Sequence, residues 1–480
     1  WELASNETDC MIGYHSVSVM ADAMAKGITG FDYEKCFEAA KHSAMLDHLG
    51  LEAYKKQGFI SMDDEHESVS KTLEYAYDDW CIAQMAQILN KKEDYDYFMK
   101  RSQNWKNLFD WETGFMRPKK NGGWDKPFDP REVNNNFTEG NSWQYSFFVP
   151  QDISGMIEAY GGTEKFEAKL DEMFNSESKT TGREQVDVTG LIGQYAHGNE
   201  PSHHMAYLYN YIDKPEKTQE KVKYILDNFY KNTPEGLIGN EDCGQMSAWY
   251  VLSSMGIYSV TPGNSGYWST TKPFFKKIVV HSLGERSRTI NKAFKQNYTD
   301  FGFEKDFVAY ETLPYDDITI VPTINSESKS FKDSLEINFE HPNVGSYRYR
   351  ILDKSNDNKP FQQFRNEKLF LKESATVEVY FEEIIERKPS RSQTISATFI
   401  KKPNNYTIQT KSKYNPQYHA GGEEGLIDGI FGSENWRKGD WQGFQSQDFE
   451  AVIDLQENKK VTSLSARFLQ DSRAWILMPT

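Results

Sequence analysis

Residues 73–88, with the sequence LEYAYDDWCIAQMAQI, decide the fold class of the first half of the chain. Their apolar side chains recur at helical spacing, at Leu73, Tyr77, Cys81, Met85 and Ile88. This spacing places them on one face of a helix. The pattern returns at 153–160, 222–229 and 243–255, and a glycine or a Pro-Gly turn follows each time. The sequence therefore predicts a mainly α region over residues 1–262.

After residue 262 the pattern changes to short alternating runs, which are typical of strands. The runs are 278–280, 336–339, 347–351, 376–381 and 395–400. They predict a β-rich segment at 263–325 and a small β-sandwich at 326–402. A last module, 410–480, has about 70 residues, which is fewer than the roughly 100 of a closed β-sandwich. We therefore expect that module to be partial.

Charge and composition exclude several classes of function. The net charge of −16 disfavours binding to nucleic acid and to anionic membrane surfaces. The sequence has no run of about 18 apolar residues, so no membrane-spanning helix is predicted. Its four cysteines are scattered, and they indicate neither a disulfide framework nor a cysteine metal site.

The first segment with chemical potential is 137–145, FTEGNSWQY. Glu139 lies there between small residues and beside aromatic ones, where partial burial would raise the pKa of its carboxyl and suit a general acid. A solvated loop glutamate that caps the following helix is an equally good interpretation.

The second segment is 194–204, QYAHGNEPSHH. Its spacing is not H-E-x-x-H, and Pro201 would interrupt the helix that such a zinc motif needs. Oxygen ligands from Asn199 and Glu200, with Gln194 as a further candidate, favour Ca²⁺ over Zn²⁺, with Pro201 at the first position of a helix. Taken singly, His203 and His204 also fit ordinary core or capping histidines.

The third segment, 236–250, contains the adjacent carboxylates Glu241 and Asp242 at a predicted helix start. Carboxylates stay ionised there, which suits a general base or a metal ligand. A helix cap needs only one of the two. With Glu139, these acids indicate carbohydrate hydrolysis by paired carboxylates, about 6.5–9.5 Å apart in an inverting enzyme.

These three segments, together with WELASNETDCMIGYH at 1–15 and SKTLEYAYDDW at 70–80, resemble glycoside hydrolase family 92 from Trp1 to about residue 310. The resemblance implies an (α/α)6 toroid with a flanking β-sandwich and a bacterial, secreted, periplasmic or cell-surface enzyme. It also implies an exo-acting, inverting α-mannosidase with an essential Ca²⁺ that holds the mannose hydroxyls O2 and O3. Glu139 would be the general acid, and Asp242, or otherwise Glu241, the general base.

The resemblance also assigns substrate and metal contacts. Asn199, Glu200 and Gln194 are the expected metal ligands, and the expected substrate contacts are Glu7, Asp9, His15, Trp143, His197, His203 and His204. Family members carry an N-terminal β-sandwich that is expected to complete the active site. That domain is missing from the sequence, which starts at Trp1, and part of the sugar subsite is expected to be missing with it. Residues 335–400 resemble the small β-domain of hexosaminidases, and 414–480 the start of a discoidin-type carbohydrate-binding module.

The expected substrate is a terminal α-mannoside, α-1,2-linked, of N-glycans or mannans. Two alternatives remain open at this point. One is a non-catalytic carbohydrate-binding or adhesin protein. The other is an inverting toroid hydrolase that acts on α-glucosides.

Overall fold

Helices dominate the first part of the chain in the computed structural model, which describes residues 11–264, 268–269, 271–281, 288–291, 318–353, 359–365 and 368–478. The α-helices are α1 Ser16–Ala25, α2 Tyr33–Met45, α3 Leu51–Gln57, α4 Ser68–Ile88, α5 Lys92–Arg101, α6 Ser142–Tyr145, α7 Ile153–Ala159, α8 Thr163–Asn175, α9 Pro215–Asn228 and α10 Gln245–Met255. Short 3-10 helices lie at Asn104–Asn107, Glu200–Ser202, Met205–Ile212, Gly422–Ile427, Trp436–Lys438 and Ser472–Ala474.

Two compact units divide the chain. The helical unit comprises Trp1–Phe59, Val69–Arg117 and Pro127–Ile318. The β unit comprises Ile60–Ser68, Pro118–Lys126 and Thr319–Thr480. The predicted boundaries at 262, 325 and 402 cut the chain differently, because sequence pattern does not show that 60–68 and 118–126 join the β unit. Those boundaries stay predictions.

The predicted helix around residues 73–88 is α4, but its environment differs from the expected amphipathic one. Every residue from 68 to 83 is buried. The acidic residues on the inner turns are tolerated because they have partners: Asp79 pairs with Arg101 at 3.0 Å, and Tyr54 donates to Asp79 at 2.8 Å. Buried charges need such pairing. The helix is therefore enclosed on all sides over most of its length.

The predicted glycine stops are confirmed at two helices. Helix α7 is followed by Gly161 and Gly162, with φ values of 89° and 103°. Helix α10 ends at Gly256, which has a φ of 82°. Glycine adopts this left-handed conformation without a steric cost, so the chain can leave the helix there.

Short strands lie between the helices. They are β1 Phe109–Asp110, β2 Phe115–Met116, β3 Lys119–Lys120, β4 Gly123–Trp124, β5 Glu132–Val133, β6 Thr181–Gly182, β7 Leu191–Ile192, β8 Tyr195–Ala196, β9 Ile257–Tyr258, β10 Trp268–Ser269, β11 Lys277–Val280 and β12 Arg288–Asn291. Each forms a two-stranded pair, β5 with β6 in parallel and the others antiparallel.

Two sheets form the core of the β unit. The strands are β13 Thr323–Asn325, β14 Ser330–Phe331, β15 Leu335–Glu340, β16 Ser346–Leu352, β17 Gln362–Gln363, β18 Leu369–Leu371, β19 Ala375–Ile385, β20 Lys388–Arg391 and β21 Ile395–Lys401. One sheet has the order β13-β15-β18, and the other β14-β21-β19-β16-β17, with β20 paired to β19. Buried and exposed residues alternate along β15, as expected for a strand with one inward face.

The two sheets pack face to face. Phe339 of β15 contacts Tyr349 of β16, with ring centroids 5.7 Å apart, and Phe364 at 5.0 Å. This arrangement is a β-sandwich, and it contains the strands predicted at 336–339, 347–351, 376–381 and 395–400. Beyond it, β22 Thr407–Thr410 pairs with β23 Ala451–Asp454.

The mainly α first part and the β-rich later part are thus confirmed, whereas the toroid stays a prediction. Among the described residues, no helix is long and apolar enough to cross a membrane.

Candidate active site

The loop before α6 holds Glu139 in an unusual backbone conformation. Its φ is 48°, in the left-handed region that non-glycine residues seldom adopt. Asn141 caps α6 by accepting from the N–H groups of Trp143 and Gln144, and Gln144 Oε1 accepts the Asn141 N–H at 2.9 Å. This capping box needs no second cap. The interpretation of Glu139 as the residue that caps α6 is therefore wrong, because Asn141 is the cap.

Asn199 connects the Glu139 loop to the second segment. Its Nδ2 donates to the Glu139 carbonyl at 2.9 Å. Its Oδ1 accepts the Glu200 N–H at 3.1 Å and so caps the short 3-10 helix Glu200–Ser202. Pro201 is the second residue of that helix rather than the first. One buried amide therefore holds two acidic residues next to each other.

Glu200 and Asp242 form a carboxyl pair. Burial, the contact with Asp242 and the charge of Glu139 raise the pKa of Glu200 to about 7. Two carboxyl groups can hydrogen-bond to each other only when one of them holds a proton. The structure therefore brings three of the predicted acidic residues into one electrostatic cluster, in which the neighbouring acids favour the protonated form of Glu200.

The two backbone segments approach closely because two residues lack side chains. A Cβ on Gly239 would lie 2.5 Å from the carbonyl oxygen of Gly198, and a Cβ on Gly198 would lie 1.9 Å from Thr189 Oγ1. Real Cβ atoms do not approach a backbone carbonyl that closely, so glycine is required at Gly239, while at Gly198 a side chain would displace the Thr189 hydroxyl. This close approach brings the loop of Asp242 against that of Glu200.

Glu241 and Asp242 have different roles. The Glu241 carboxylate accepts from the N–H groups of Gly244 and Ser247 at the start of α10. Hydrogen bonding to the Ser247 side chain, and then to these two N–H groups, lowers the pKa of Glu241. Asp242, with a φ of 48°, faces Glu200 instead. A single carboxylate, that of Glu241, therefore binds the N–H groups at the start of α10, as expected for a helix start that needs only one acid. The capping role makes Glu241 the weaker candidate for the general base.

The predicted substrate-binding histidines lie behind these acids. Each ring nitrogen of His197 shares a hydrogen bond of 2.8 Å with a tyrosine hydroxyl, that of Tyr195 or Tyr230. His203 Nε2 donates to the His197 carbonyl at 3.0 Å, and His204 Nε2 donates to the Phe147 carbonyl at 2.7 Å.

Burial keeps these imidazoles neutral. It lowers the pKa of His197 well below its ordinary value and those of His203 and His204 to about 4. His203 Nδ1, which therefore carries no proton, lies 3.3 Å from Gln245 Nε2 and accepts from it. We conclude that the three rings support the site from within the core, and their contact with substrate stays a prediction.

His15 belongs to a separate acid cluster on α4. Its Nδ1 lies 2.9 Å from Asp78 Oδ1, its Nε2 contacts Glu74, and Tyr145 donates to Glu74 at 3.1 Å. Burial alone would lower the pKa of His15, but the two carboxylates outweigh it and hold that pKa well above the ordinary value. The sequence gives a usable sign of this cluster, because two acids four residues apart share one face of a largely apolar helix.

Trp143 and Gln194 are both buried. Trp143 packs against Phe115 at 4.6 Å, with Lys169 Nζ 4.6 Å from its ring centroid. The Gln194 amide donates to the carbonyl of Glu177 at 2.7 Å and accepts from Asn141 Nδ2 at 3.2 Å. Substrate and metal contacts by these residues stay predictions. Glu7 and Asp9 lie outside the described residues.

Within the part of the chain that the structure describes, no three His, Cys, Asp or Glu side chains are arranged to hold a metal ion. One oxygen nevertheless suits a hard cation. Glu200 Oε1 is buried and has no hydrogen-bond partner among the described residues, a costly state for a carboxylate oxygen. Glu200 therefore fits the expected calcium better than Asn199 or Gln194, whose amide oxygens already accept hydrogen bonds.

A comparison with known families identifies the helical part. The model of the glycosyl hydrolase family 92 catalytic domain matches residues 1–311. The chain belongs to glycosyl hydrolase family 92. The resemblance noted from the sequence is thus confirmed, while the hexosaminidase-type and discoidin-type modules stay predictions.

Similar proteins include two family 92 enzymes of known structure from Bacteroides thetaiotaomicron. An α-mannosidase solved with mannoimidazole is 44% identical, with a TM-score of 0.56, over 60% of this chain and 39% of its own. An inverting mannosidase is 38% identical, with a TM-score of 0.54, over 60% of this chain and 41% of its own.

A secreted, uncharacterised glycosidase from Arthroderma benhamiae is 27% identical over 60% of this chain and 40% of its own. The chain thus spans about two fifths of the length of these family 92 relatives.

Proposed function

We propose that the chain is an exo-acting, inverting α-mannosidase that requires calcium. The observation that carries this proposal is the cluster of Glu139, Glu200 and Asp242. In this cluster the pKa of Glu200 is raised to about 7, and both Glu139 and Asp242 have left-handed backbone conformations. Strain of this kind persists where the surrounding structure fixes it, and it concentrates at active sites. The mannosidase activity of the two B. thetaiotaomicron relatives supports the choice of sugar.

Glu139 is the proposed general acid, which donates its proton to the glycosidic oxygen as that bond breaks. Asp242 is the proposed general base. It takes a proton from the water that attacks the anomeric carbon on the face opposite the leaving group. Single displacement of this kind inverts the anomeric configuration. Asn199 fixes the spacing between the acid loop and Glu200.

The family is generally calcium-dependent. We propose Glu200 Oε1 as a ligand of the calcium ion, with Asn199 and Gln194 as further candidate ligands. Calcium, when bound, would supply positive charge for two neighbouring sugar hydroxyls and for the attacking water. A carboxyl must release its proton to bind a metal, so the proton of Glu200 would leave.

The test compares Glu139→Gln, Asp242→Asn and Glu241→Gln on aryl α-mannosides with good and poor leaving groups. Glu139→Gln should retain activity only on the mannoside with the good leaving group, because that group departs without a proton from the enzyme. Asp242→Asn should be inactive on both. Glu241→Gln is the matched control and should retain turnover on both. Equal losses in all three variants would contradict the roles, and the adhesin alternative requires that the wild type be inactive.

Two further experiments address calcium and the substrate. Activity should disappear in EGTA and return with Ca²⁺, and rescue by Zn²⁺ alone would contradict the metal assignment. We propose α-1,2-linked mannose of N-glycans or mannans as the preferred substrate. Rates on α-1,2-, α-1,3-, α-1,4- and α-1,6-mannobiose test this, with an aryl α-glucoside as the control for the glucosidase alternative.

A further inference from the structure

A cavity of about 260 Å³ lies within the β unit. Three segments line it: the β3–β4 hairpin, residues 324–329 after β13, and the loops at 419–440. None of its residues belongs to the carboxyl cluster described above. Its volume is below the roughly 300–1,000 Å³ of pockets that hold drug-sized molecules, so it suits a single small ring.

The hairpin that forms one wall is anchored through its backbone. The Gly122 carbonyl accepts the Ile324 N–H at 2.9 Å. A Cβ on Gly123 would lie 2.8 Å from the Ile324 carbonyl oxygen, so the hairpin lies directly on β13. Lys120 Nζ donates to the Gly439 carbonyl at 2.9 Å. These bonds join all three segments, so the wall is formed before any ligand arrives.

The lining combines an aromatic ring with carboxylates. Trp124 is half-buried, and Lys119 Nζ lies 4.7 Å from its ring centroid. Asp428 is 5% exposed, and its Oδ1 accepts the Ile430 N–H at 2.7 Å. Asp440 is half-buried and accepts no hydrogen bond from the described residues. Such a lining offers a flat apolar surface beside hydrogen-bond acceptors.

Charge narrows the class of ligand. Of the three lining lysines, Lys120 donates to the Gly439 carbonyl and Lys329 pairs with Asp63 at 3.1 Å, so these two hold the walls together, while Lys126 is exposed at the rim. Asp428 and Asp440 would repel a phosphate. A metal ion is disfavoured too, because no group of three acidic or histidine side chains among the described residues could hold one. A neutral sugar matches this lining, because its hydroxyls can donate to Asp428 and Asp440 and its C–H face can stack on the Trp124 ring.

We propose that this cavity binds one neutral hexose of a glycan, with the C–H face of the sugar against Trp124 and hydroxyls donating to Asp440 and Asp428. The site goes beyond the proposed hydrolytic function, since it would hold a glycan without cleaving it.

The test is ¹⁹F NMR of the full chain labelled with 5-fluorotryptophan. The resonance that disappears in Trp124→Phe is that of Trp124. Mannose, glucose or galactose, at concentrations on the order of 10 mM that suit a Kd of about 1 mM, should shift that resonance. Trp436, in the same unit but outside the cavity, should not respond. Monosaccharides are not hydrolysed, so the result is independent of mannosidase activity.

Asp440→Ala should weaken sugar binding about tenfold, because it removes a charge-assisted hydrogen bond. Asp448→Ala, which removes the same charge from an exposed position outside the lining, should leave the affinity unchanged. Unshifted resonances of the other tryptophans would show that the variants are folded. The absence of any shift at Trp124, or a shift with phosphate or Ca²⁺ but not with the sugars, would overturn the proposal.

Discussion

Replacing Asn199 with alanine tests whether a single amide organises the acid cluster. The side chain is 6% exposed and makes two hydrogen bonds, to the Glu139 carbonyl at 2.9 Å and from the Glu200 N–H at 3.1 Å. Each is worth roughly 0.5–1.5 kcal/mol. Asn199→Ala should therefore lower the free energy of unfolding by about 1–3 kcal/mol, measured by urea denaturation.

The effect on activity should exceed the effect on stability. Without the amide, the Glu139 loop and Glu200 lose their common tether, and a displacement of about 1 Å can lower a rate about 100-fold. We expect kcat on a poor-leaving-group mannoside to fall by that order. Asn435→Ala is the matched control, because Asn435 caps a short 3-10 helix in the β unit and should leave kcat unchanged.

Calcium titration separates a tether from a metal ligand. If Asn199 only binds calcium, excess Ca²⁺ should restore the kcat of Asn199→Ala. We expect no such recovery, because the tether acts on the position of the acid. Wild-type kcat in Asn199→Ala, or a loss no larger than that of Asn435→Ala, would refute the reasoning.

Four further predictions concern stability and the glycine contact. Arg101→Met leaves the buried Asp79 without its cationic partner, and the free energy of unfolding measured in urea should fall by about 3–5 kcal/mol. A fall of less than about 1 kcal/mol, which is typical of an exposed ion pair, would be inconsistent with a buried pair. Because the pKa of His15 is raised in the folded protein, the protonated ring stabilises the folded state fully at pH values below the unfolded-state pKa of about 6.5. This stabilisation is lost as the pH rises through the folded-state pKa of His15. In thermal unfolding, the stability difference between the wild type and His15→Gln should therefore shrink at high pH. The pKa of His204 is lowered to about 4 in the folded protein, so the unfolded state takes up the proton first as the pH falls. The stability difference between the wild type and His204→Gln should therefore shrink as the pH falls from about 6.5 to 4. Gly239→Ala should reduce kcat on mannosides while preserving near-wild-type unfolding of the β unit, and unchanged kcat would show that the close backbone approach is unimportant.

Local pattern predicted the elements better than their surroundings. Helical spacing and glycine stops located α4, α7 and α10, and alternation located β15, β16, β19 and β21. The spacing could not show that α4 is enclosed on all sides, because that depends on Arg101 and Tyr54, which lie far from Asp79 in the sequence. The same holds for the hairpin at 118–126, whose place in the β unit depends on a backbone contact with Ile324.

The candidate site was partly predictable for the same reason. Residue type and local context identified Glu139 and Asp242, and the separate roles of Glu241 and Asp242 follow from helix capping alone. The contact between Glu200 and Asp242 was not predictable, because it depends on the close approach of Gly198 and Gly239. Sequence separation carries no information about such an approach.

The anomeric configuration of the first product shows whether Glu139 and Asp242 act as the acid and the base of a single displacement. Hydrolysis of an aryl α-mannoside by the calcium-loaded chain should be followed by ¹H NMR before the released mannose mutarotates. An attack by water on the face opposite the leaving group, with Asp242 as base and Glu139 as acid, gives β-mannose first and α-mannose only by later mutarotation. Initial appearance of α-mannose would mean double displacement through a covalent intermediate, and it would contradict the roles assigned to these two carboxylates.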